Sequence, residues 1–317
     1  MILALAGGVG GAKMATGLAA RLRPEELLVV VNTGDDFTHL GLHISPDLDT
    51  VMYWLASMND ADRGWGRAGE TWNFMAALEG LGQPTWFNLG DRDLATHVVR
   101  TAQLKGGTPL SEVTSFLCRR FGIAHRIVPM SDDSVRTFVR TDQGALEFQD
   151  YFVRRRCEPR LVGLEFRSAE SAHVSAAFAA ALADEGLEAV IICPSNPFLS
   201  IDPILAIAGV RDQLAHHRAP IVAVSPIVGG RAIKGPLAKI LNEKSFESSA
   251  VTIATLYADL IDGIVIDDTD IGLTRQIEAL GVPVCVTNIV MTDSADRLRL
   301  ADSVIRFAGS LRVRSHA

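Results

Sequence analysis

Short runs rich in Val and Ile recur along this chain, and each passes directly into a polar or glycine-rich segment. Ile2–Ala6, Leu27–Val31, Ala189–Cys193, Ile221–Val224, Gly263–Ile266 and Val282–Val286 are each four or five residues long. A strand covered on both faces of a parallel sheet is apolar at every position and must end in a turn, and these runs have that form. Helix-like spacing fills the gaps, most clearly in Ala12–Arg21, Ser171–Asp184, Ile271–Leu280 and Ser294–Ala308. The alternation predicts an α/β fold, a Rossmann-like and mostly parallel sheet with helices on both faces. One domain is expected, with its core at 1–58 and 171–310.

The middle of the chain has a different pattern. Val135–Arg140 and Ala145–Asp150 flank Thr-Asp-Gln-Gly, a hairpin signal. Ala95–Leu104 and Ser111–Phe121 look helical. Residues from about 60 to 170 are therefore expected as an inserted α+β region.

If the strands are parallel, the segments that follow them share one edge, where open α/β sheets bind ligands. The first of these segments is Gly7-Gly8-Val9-Gly10-Gly11-Ala12-Lys13. Glycines here let backbone approach a phosphate, and the next helix offers amide donors and a positive dipole end. Gly7, Gly8, Gly10, Gly11 and Lys13 are the expected phosphate binders. The run is not a Walker A loop, because Gly11-Ala12-Lys13-Met14 lacks Gly-Lys-Ser/Thr. Nor is it a clean dinucleotide fingerprint, since Lys13 stands at the third glycine position.

Asn32-Thr33-Gly34-Asp35-Asp36 ends the second run, where Asp35 and Asp36 are placed to meet a ribose, a metal or a substrate. In Ser45-Pro46-Asp47-Leu48-Asp49-Thr50, one aspartate is free to cap the helix that follows. The other is left to hold Mg²⁺ or accept a proton near phosphates. Asn88-Leu89-Gly90-Asp91-Arg92-Asp93 offers a helix cap, an ion pair or a phosphate-binding arginine. His97 lies just beyond and is open to several roles. Ser195 and Asn196 in Pro194–Pro197 carry polar groups for a phosphate or base. Ser225-Pro226 with Gly229-Gly230, and Lys234-Gly235-Pro236, form a second such strip.

Composition limits the partners. A net charge of −7 argues against nucleic acid and anionic membrane surfaces as partners. No run of 18 uninterrupted apolar residues is present, so no membrane span is expected, nor is a signal peptide. Four scattered cysteines, without Cys-x-x-Cys spacing, suit a reducing cytoplasm better than a disulfide framework. The histidines make no metalloprotease pattern, and no Gly-x-Ser-x-Gly elbow supports a serine triad.

Taken together, the motifs resemble those of the CofD family. They are Gly-Gly-Val-Gly-Gly-Ala-Lys, Asn-Thr-Gly-Asp-Asp, Ser-Pro-Asp-Leu-Asp-Thr, Leu-Gly-Asp-Arg-Asp-Leu-Ala-Thr-His, Pro-Met-Ser-Asp-Asp (129–133), Phe-Gln-Asp-Tyr-Phe (148–152), Pro-Ser-Asn-Pro and Ser-Pro-Ile-Val-Gly-Gly. The family comprises 2-phospho-L-lactate transferases of coenzyme F-420 biosynthesis. The resemblance implies transfer of 2-phospho-L-lactate, phosphoenolpyruvate or 3-phosphoglycerate from a guanosine-diphosphate-linked donor. The acceptor is the ribityl hydroxyl of the deazaflavin Fo, GMP leaves, and Mg²⁺ is required. It implies that Asp49 binds Mg²⁺ or orients the acceptor, with Asp47 as alternate. Asp49, Asn88, Asp91 and Arg92 are expected to face Fo. Ser195, Asn196, Ser225, Pro226 and Gly229 are expected to hold the guanosine half. A homodimer is the expected assembly, with Val51–Leu55 and Trp86–Phe87 open to a core or a dimer face. Two alternatives stand beside this reading. One is a YvcK-like nucleotide-sugar-binding regulator without catalysis, and the other is an NAD(P)-dependent oxidoreductase.

Overall fold

The computed structural model describes residues 1–233 and 235–314. Among these residues, one sheet contains seven strands: β1 (Ile2–Ala6), β2 (Leu27–Val31), β3 (Arg126–Pro129), β4 (Ala189–Ile192), β5 (Ile221–Val224), β6 (Gly263–Ile266) and β7 (Val284–Val286). Their spatial order is β7-β6-β5-β4-β1-β2-β3, and every pairing is parallel. This is the Rossmann order extended by one strand, with the topological switch between β1 and β4.

The period-two geometry of strands explains why the runs are apolar throughout. Leu3, Leu5, Leu28 and Val30 enter the core on one face of the sheet. Ile2, Ala4, Ala6, Val29 and Val31 enter a second core on the other. Each fully buried Val or Leu contributes about 1.5–3 kcal/mol, so the positions of β1 and β2, covered on both faces, are not open to polar residues. Helices α1 (Gly8–Ala19) and α2 (Pro46–Leu55) cover the second face together with the C-terminal helix Ser294–Arg314. Helices α3 (Asn73–Gly80), α4 (Asp91–Lys105) and α5 (Leu110–Arg120) lie between β2 and β3. Among the described residues, no helix is long and apolar enough to cross a membrane.

The α/β fold and four of the six strand runs have the expected limits. The other two are shorter, at Ala189–Ile192 and Val284–Val286. Three differences matter. First, β3 lies inside the stretch 60–170, so that stretch is joined to the main sheet rather than set apart from it. Its sequence hides it: Arg126 is exposed, and Pro129 ends the strand on the outer edge, where a missing amide donor is tolerated. Second, α1 begins at Gly8 rather than Ala12, so most of the glycine segment is helix. Third, Ile271–Leu280 begins as a 3₁₀ turn at Asp268–Leu273 before Thr274–Glu278 becomes α-helical. The predicted hairpin is present, Arg136–Thr141 against Gly144–Glu147, and Leu161–Arg167 adds a third antiparallel strand. Val51, Met52, Tyr53 and Trp54 are core residues, while Trp86 and Phe87 are partly buried against Phe37.

Candidate active site

The β1–α1 turn sits at the switch point. Gly7 is extended and Gly8 has a φ of +61°, a left-handed value that favours glycine. A side chain at Gly7 would strike Asp47 and Ser200, and one at Gly10 would overlap the Pro194 carbonyl oxygen. At Gly11 a Cβ would lie 2.6 Å from the Ser195 hydroxyl. The glycines are thus needed first for close approach of the protein to itself. Ser195 closes the turn from the β4 side: its hydroxyl accepts from the Gly7 amide at 3.1 Å and donates to the Gly7 carbonyl at 2.8 Å. The next first-turn amides, those of Val9 and Gly10, belong to the helix turn whose donors have no intrahelical acceptor, which makes them a candidate anion seat.

Asp47 and Asp49 separate because they are two residues apart on one helix. Asp47 points at the turn, accepting from the Gly8 amide at 2.7 Å and from Asn32 Nδ2 at 3.0 Å. The same Asn32 nitrogen reaches Asp35 Oδ1 at 3.2 Å. Asp36 accepts from Ser45 Oγ at 2.8 Å and stands 3.0 Å from His43 Nε2, while its Oδ1 is buried without a partner. Asp35, Asp36 and Asp47 therefore form one buried acidic cluster beside the anion seat. Burial, opposed by hydrogen bonds from Asn32 and Gly8, pushes the Asp47 carboxyl up to about 6. Burial and the neighbouring charges of Asp47 and Asp36 raise Asp35 well above the usual carboxylate range.

Asp49 faces the other way, into a polar seam between α2 and α4. Arg100, fully buried, donates to both of its oxygens, to Oδ2 at 3.0 Å. Arg100 also lies 3.2 Å from His97 Nδ1, and His97 Nε2 is 3.3 Å from Asp93 Oδ2. The Tyr53 hydroxyl donates to Asp93 at 2.6 Å. Burial opposes the charge on Arg100, but Asp49 more than restores it, and the guanidinium pKa is raised. Asp49, Asp93 and His97 come close enough to suggest a metal centre, yet the Arg100 cation already occupies Asp49.

The remaining expected residues are scattered. Lys13 donates from Nζ to the Met291 carbonyl at 2.6 Å and lies 5.5 Å from the Trp54 ring centroid, which ties α1 to the segment before the last helix. Asp91 accepts from Thr71, Asn73 and Phe74, at 2.6 Å from the Thr71 hydroxyl, and so caps α3. These bonds, that from Thr71 first, hold its carboxyl down at about 2. Arg92 donates to the Ala68 carbonyl at 3.3 Å and is exposed, as is Asn88. Asn196 caps the turn after it through Oδ1, leaving Nδ2 buried and without a partner. Ser225 Oγ exchanges hydrogen bonds with Ile227, Pro226 is half-buried beside it, and the Gly229 amide donates to Asp270 at 3.0 Å. Lys234 lies outside the described residues.

A cavity of about 130 Å³ adjoins the acidic cluster, walled by 34–38, 136–137 and 147–149. A larger one, of about 330 Å³, lies around the amino end of β7, lined by Glu278, Val282, Phe307 and Ser310 and by none of the candidate site residues. Arg136 and Gln149 in the smaller cavity, and Arg100 in the seam, were not singled out from the sequence. Arg100 had a signal. Asp93, Thr96, His97 and Arg100 follow the i, i+3, i+4, i+7 spacing of a single helix face, and Asp49 and Tyr53 are four apart on the facing helix. Arg136 had none, because alternation along a hairpin does not say which face meets another loop.

Comparison with known proteins identifies the family and the fold. Residues 2–290 match the family described as 2-phospho-L-lactate transferase CofD. A phosphoenolpyruvate transferase of Kitasatospora aureofaciens is 40% identical over 98% of this chain and 98% of its own length. A 2-phospho-L-lactate transferase of Methanosarcina acetivorans is 37% identical over 96% of this chain and 98% of its own. A solved structure of a UPF0052 family member from Bacillus halodurans shares the fold. Its TM-score is 0.63 at 11% identity, covering 96% of this chain and 98% of the other. With a family match across nearly its whole length, this chain belongs to the CofD family of 2-phospho-L-lactate transferases.

Proposed function

We propose that the protein transfers a phospho-acid unit from a guanosine-diphosphate-linked donor to the terminal ribityl hydroxyl of Fo, in coenzyme F-420 biosynthesis. The hydroxyl oxygen attacks the phosphorus that bears the acid, the bridging bond between the two phosphates breaks, and GMP departs with the bridging oxygen. The observation that carries this reading is the anion seat at Val9 and Gly10 beside the buried cluster of Asp35, Asp36 and Asp47. Phosphoryl transfer is mainly a matter of positioning and charge neutralisation, and this arrangement offers both. The α1 amides hold the diphosphate. Asp47, with its carboxyl near 6, takes the proton of the attacking hydroxyl. Family membership does not favour the non-catalytic nucleotide-sugar-binding alternative.

Mg²⁺ fits the acidic cluster rather than Asp49. The cluster supplies the hard carboxylate oxygens this ion takes, and Asp36 Oδ1 is buried with no partner. Both Asp49 oxygens are engaged by Arg100. Asp35 and Asp36 would hold the ion, which supplies charge neutralisation at the diphosphate when bound. A homodimer in the cytoplasm completes the proposal.

The test is incubation with Fo, Mg²⁺ and each guanosine-diphosphate-linked donor in turn, those carrying lactate, enolpyruvate or glycerate. Mass spectrometry should find GMP and one phosphodiester, whose mass identifies the acid. No product from any donor would refute the proposal.

A further inference from the structure

One side chain ties the acidic cluster to both sides of the switch point. Asn32 follows β2 directly and is fully buried. Its Oδ1 accepts from the Gly34 amide at 2.8 Å, which closes a turn and fixes which way the side-chain amide points. Nδ2 therefore faces the cluster, where three acceptors converge on its two hydrogens. They are Asp47 Oδ2 at 3.0 Å, Asp35 Oδ1 at 3.2 Å and the Leu199 carbonyl at 3.2 Å. The three come from α2, from the segment after β2, and from the π-helical turn Pro197–Ile201 that follows β4.

Closing the turn does not require the nitrogen. Aspartate, or more weakly serine, accepts from the amide two residues on in the same way. The nitrogen has a separate task. Asp35 and Asp47 are buried carboxylates that repel each other, and Nδ2 places a neutral donor against both. The Gly8 amide holds Asp47 Oδ1 at 2.7 Å, so the Asn32 contact to Oδ2 fixes the second oxygen and with it the plane of the carboxyl group. Asp35 is held less firmly on its other side, where Oδ2 lies 3.5 Å from Gln149 Nε2. Without the nitrogen, the Asp47 carboxyl is free to turn about the Gly8 contact, and Asp35 is free to move away from it.

We infer that Asn32 is a positioning residue for the transfer step: its side-chain nitrogen sets the aim of Asp47 at the acceptor hydroxyl and the spacing of Asp47 from Asp35. The inference rests on the transferase reading above and deepens it. Asn32 acts through the two carboxylates and not on a substrate. The β1–α1 turn does not depend on it, since Ser195 closes that turn from the β4 side. Loss of the nitrogen should therefore slow the chemical step and leave donor binding in place.

The test compares the wild type with Asn32→Ser and Asn32→Asp. Serine can still accept from Gly34 but removes the donor. Aspartate keeps the shape and the turn but puts a charged acceptor where the donor was. The full chain is assayed with Fo, Mg²⁺ and the guanosine-diphosphate-linked donor that the wild type uses, and calorimetric titration with GDP counts the folded sites. Per GDP-binding site, Asn32→Ser should lose about 10²-fold in kcat, the effect of misplacing a reacting group by about 1 Å. Its donor KM should stay within about threefold of the wild type, as for an interaction felt only in the transition state. Asn32→Asp should lose at least as much. If the serine variant has fewer GDP-binding sites but normal kcat at each, Asn32 serves the fold alone and the inference is overturned. A raised KM with kcat kept would overturn it as well. A wild type that makes no product from any donor would instead overturn the transferase reading, and this inference with it.

Discussion

Asp49 and Arg100 allow a stability test that does not depend on turnover. Replacing Arg100 by Met removes the cation that engages both Asp49 oxygens and leaves a carboxylate that is only 5% exposed. Breaking one side of a buried pair costs about 3–5 kcal/mol, because the surviving charge is left out of water without its main partner, with only the His97 ring 3.6 Å from Asp49. For a large domain, each kcal/mol lowers Tm by about 2–4 °C, so a fall of roughly 6–20 °C is expected. Asp49→Asn should fall by a similar amount, for it strands the guanidinium instead. The double variant, Asp49→Asn with Arg100→Met, should recover much of the loss and show a coupling of about 3 kcal/mol. Thermal and urea denaturation followed by circular dichroism measure all four proteins. Single-variant losses below about 1 kcal/mol, or strict additivity, would refute the claim that this pair is buried and mutually dependent. The outcome also bears on catalysis: an inactive but unstable Asp49→Asn says nothing about metal binding or acceptor orientation.

The acidic cluster predicts a pH dependence. The Asp47 pKa is raised in the folded protein to about 6 against an ordinary 3.8, so the folded state binds more protons between those values. Its contribution to stability is full below pH ~4 and is lost as the pH rises through ~6, by up to about 3 kcal/mol. Measured with chelator, the stability of the wild type relative to Asp47→Asn should therefore fall across that window, and a flat difference would contradict it. Gly10→Ala pushes a methyl group into the Pro194 carbonyl. It should cost about 1–3 kcal/mol in urea denaturation and weaken GDP binding, because the α1 turn must shift. Cys193 is fully buried and its thiol is pushed up to about 12. It should resist a thiol-specific disulfide reagent in the native protein and react after unfolding.

The sequence by itself determined six of the seven strands of the sheet and the candidate ligand edge. Strands buried on both faces need apolar residues at every position, so Ile2–Ala6, Leu27–Val31 and Gly263–Ile266 stand out without structural help. The glycine segment and the aspartates after β2 stand out as well, because few residue types fit a strand-to-helix turn or a buried ligand edge. Tertiary structure alone decided which of those groups meet. β3 was hidden because an edge strand can carry Arg126 outward and end at Pro129. Asp47 and Asp49 look equivalent as a dipeptide spacing. At about 100° per residue, however, two steps along a helix turn a side chain some 200° away. One carboxylate therefore meets Gly8, and the other meets an arginine 51 positions later in the chain. Lys13 is likewise settled by Met291, 278 residues away. Local periodicity specifies which face of an element is apolar. Which polar groups pair across the edge depends on how distant elements stack, and no local pattern carries that.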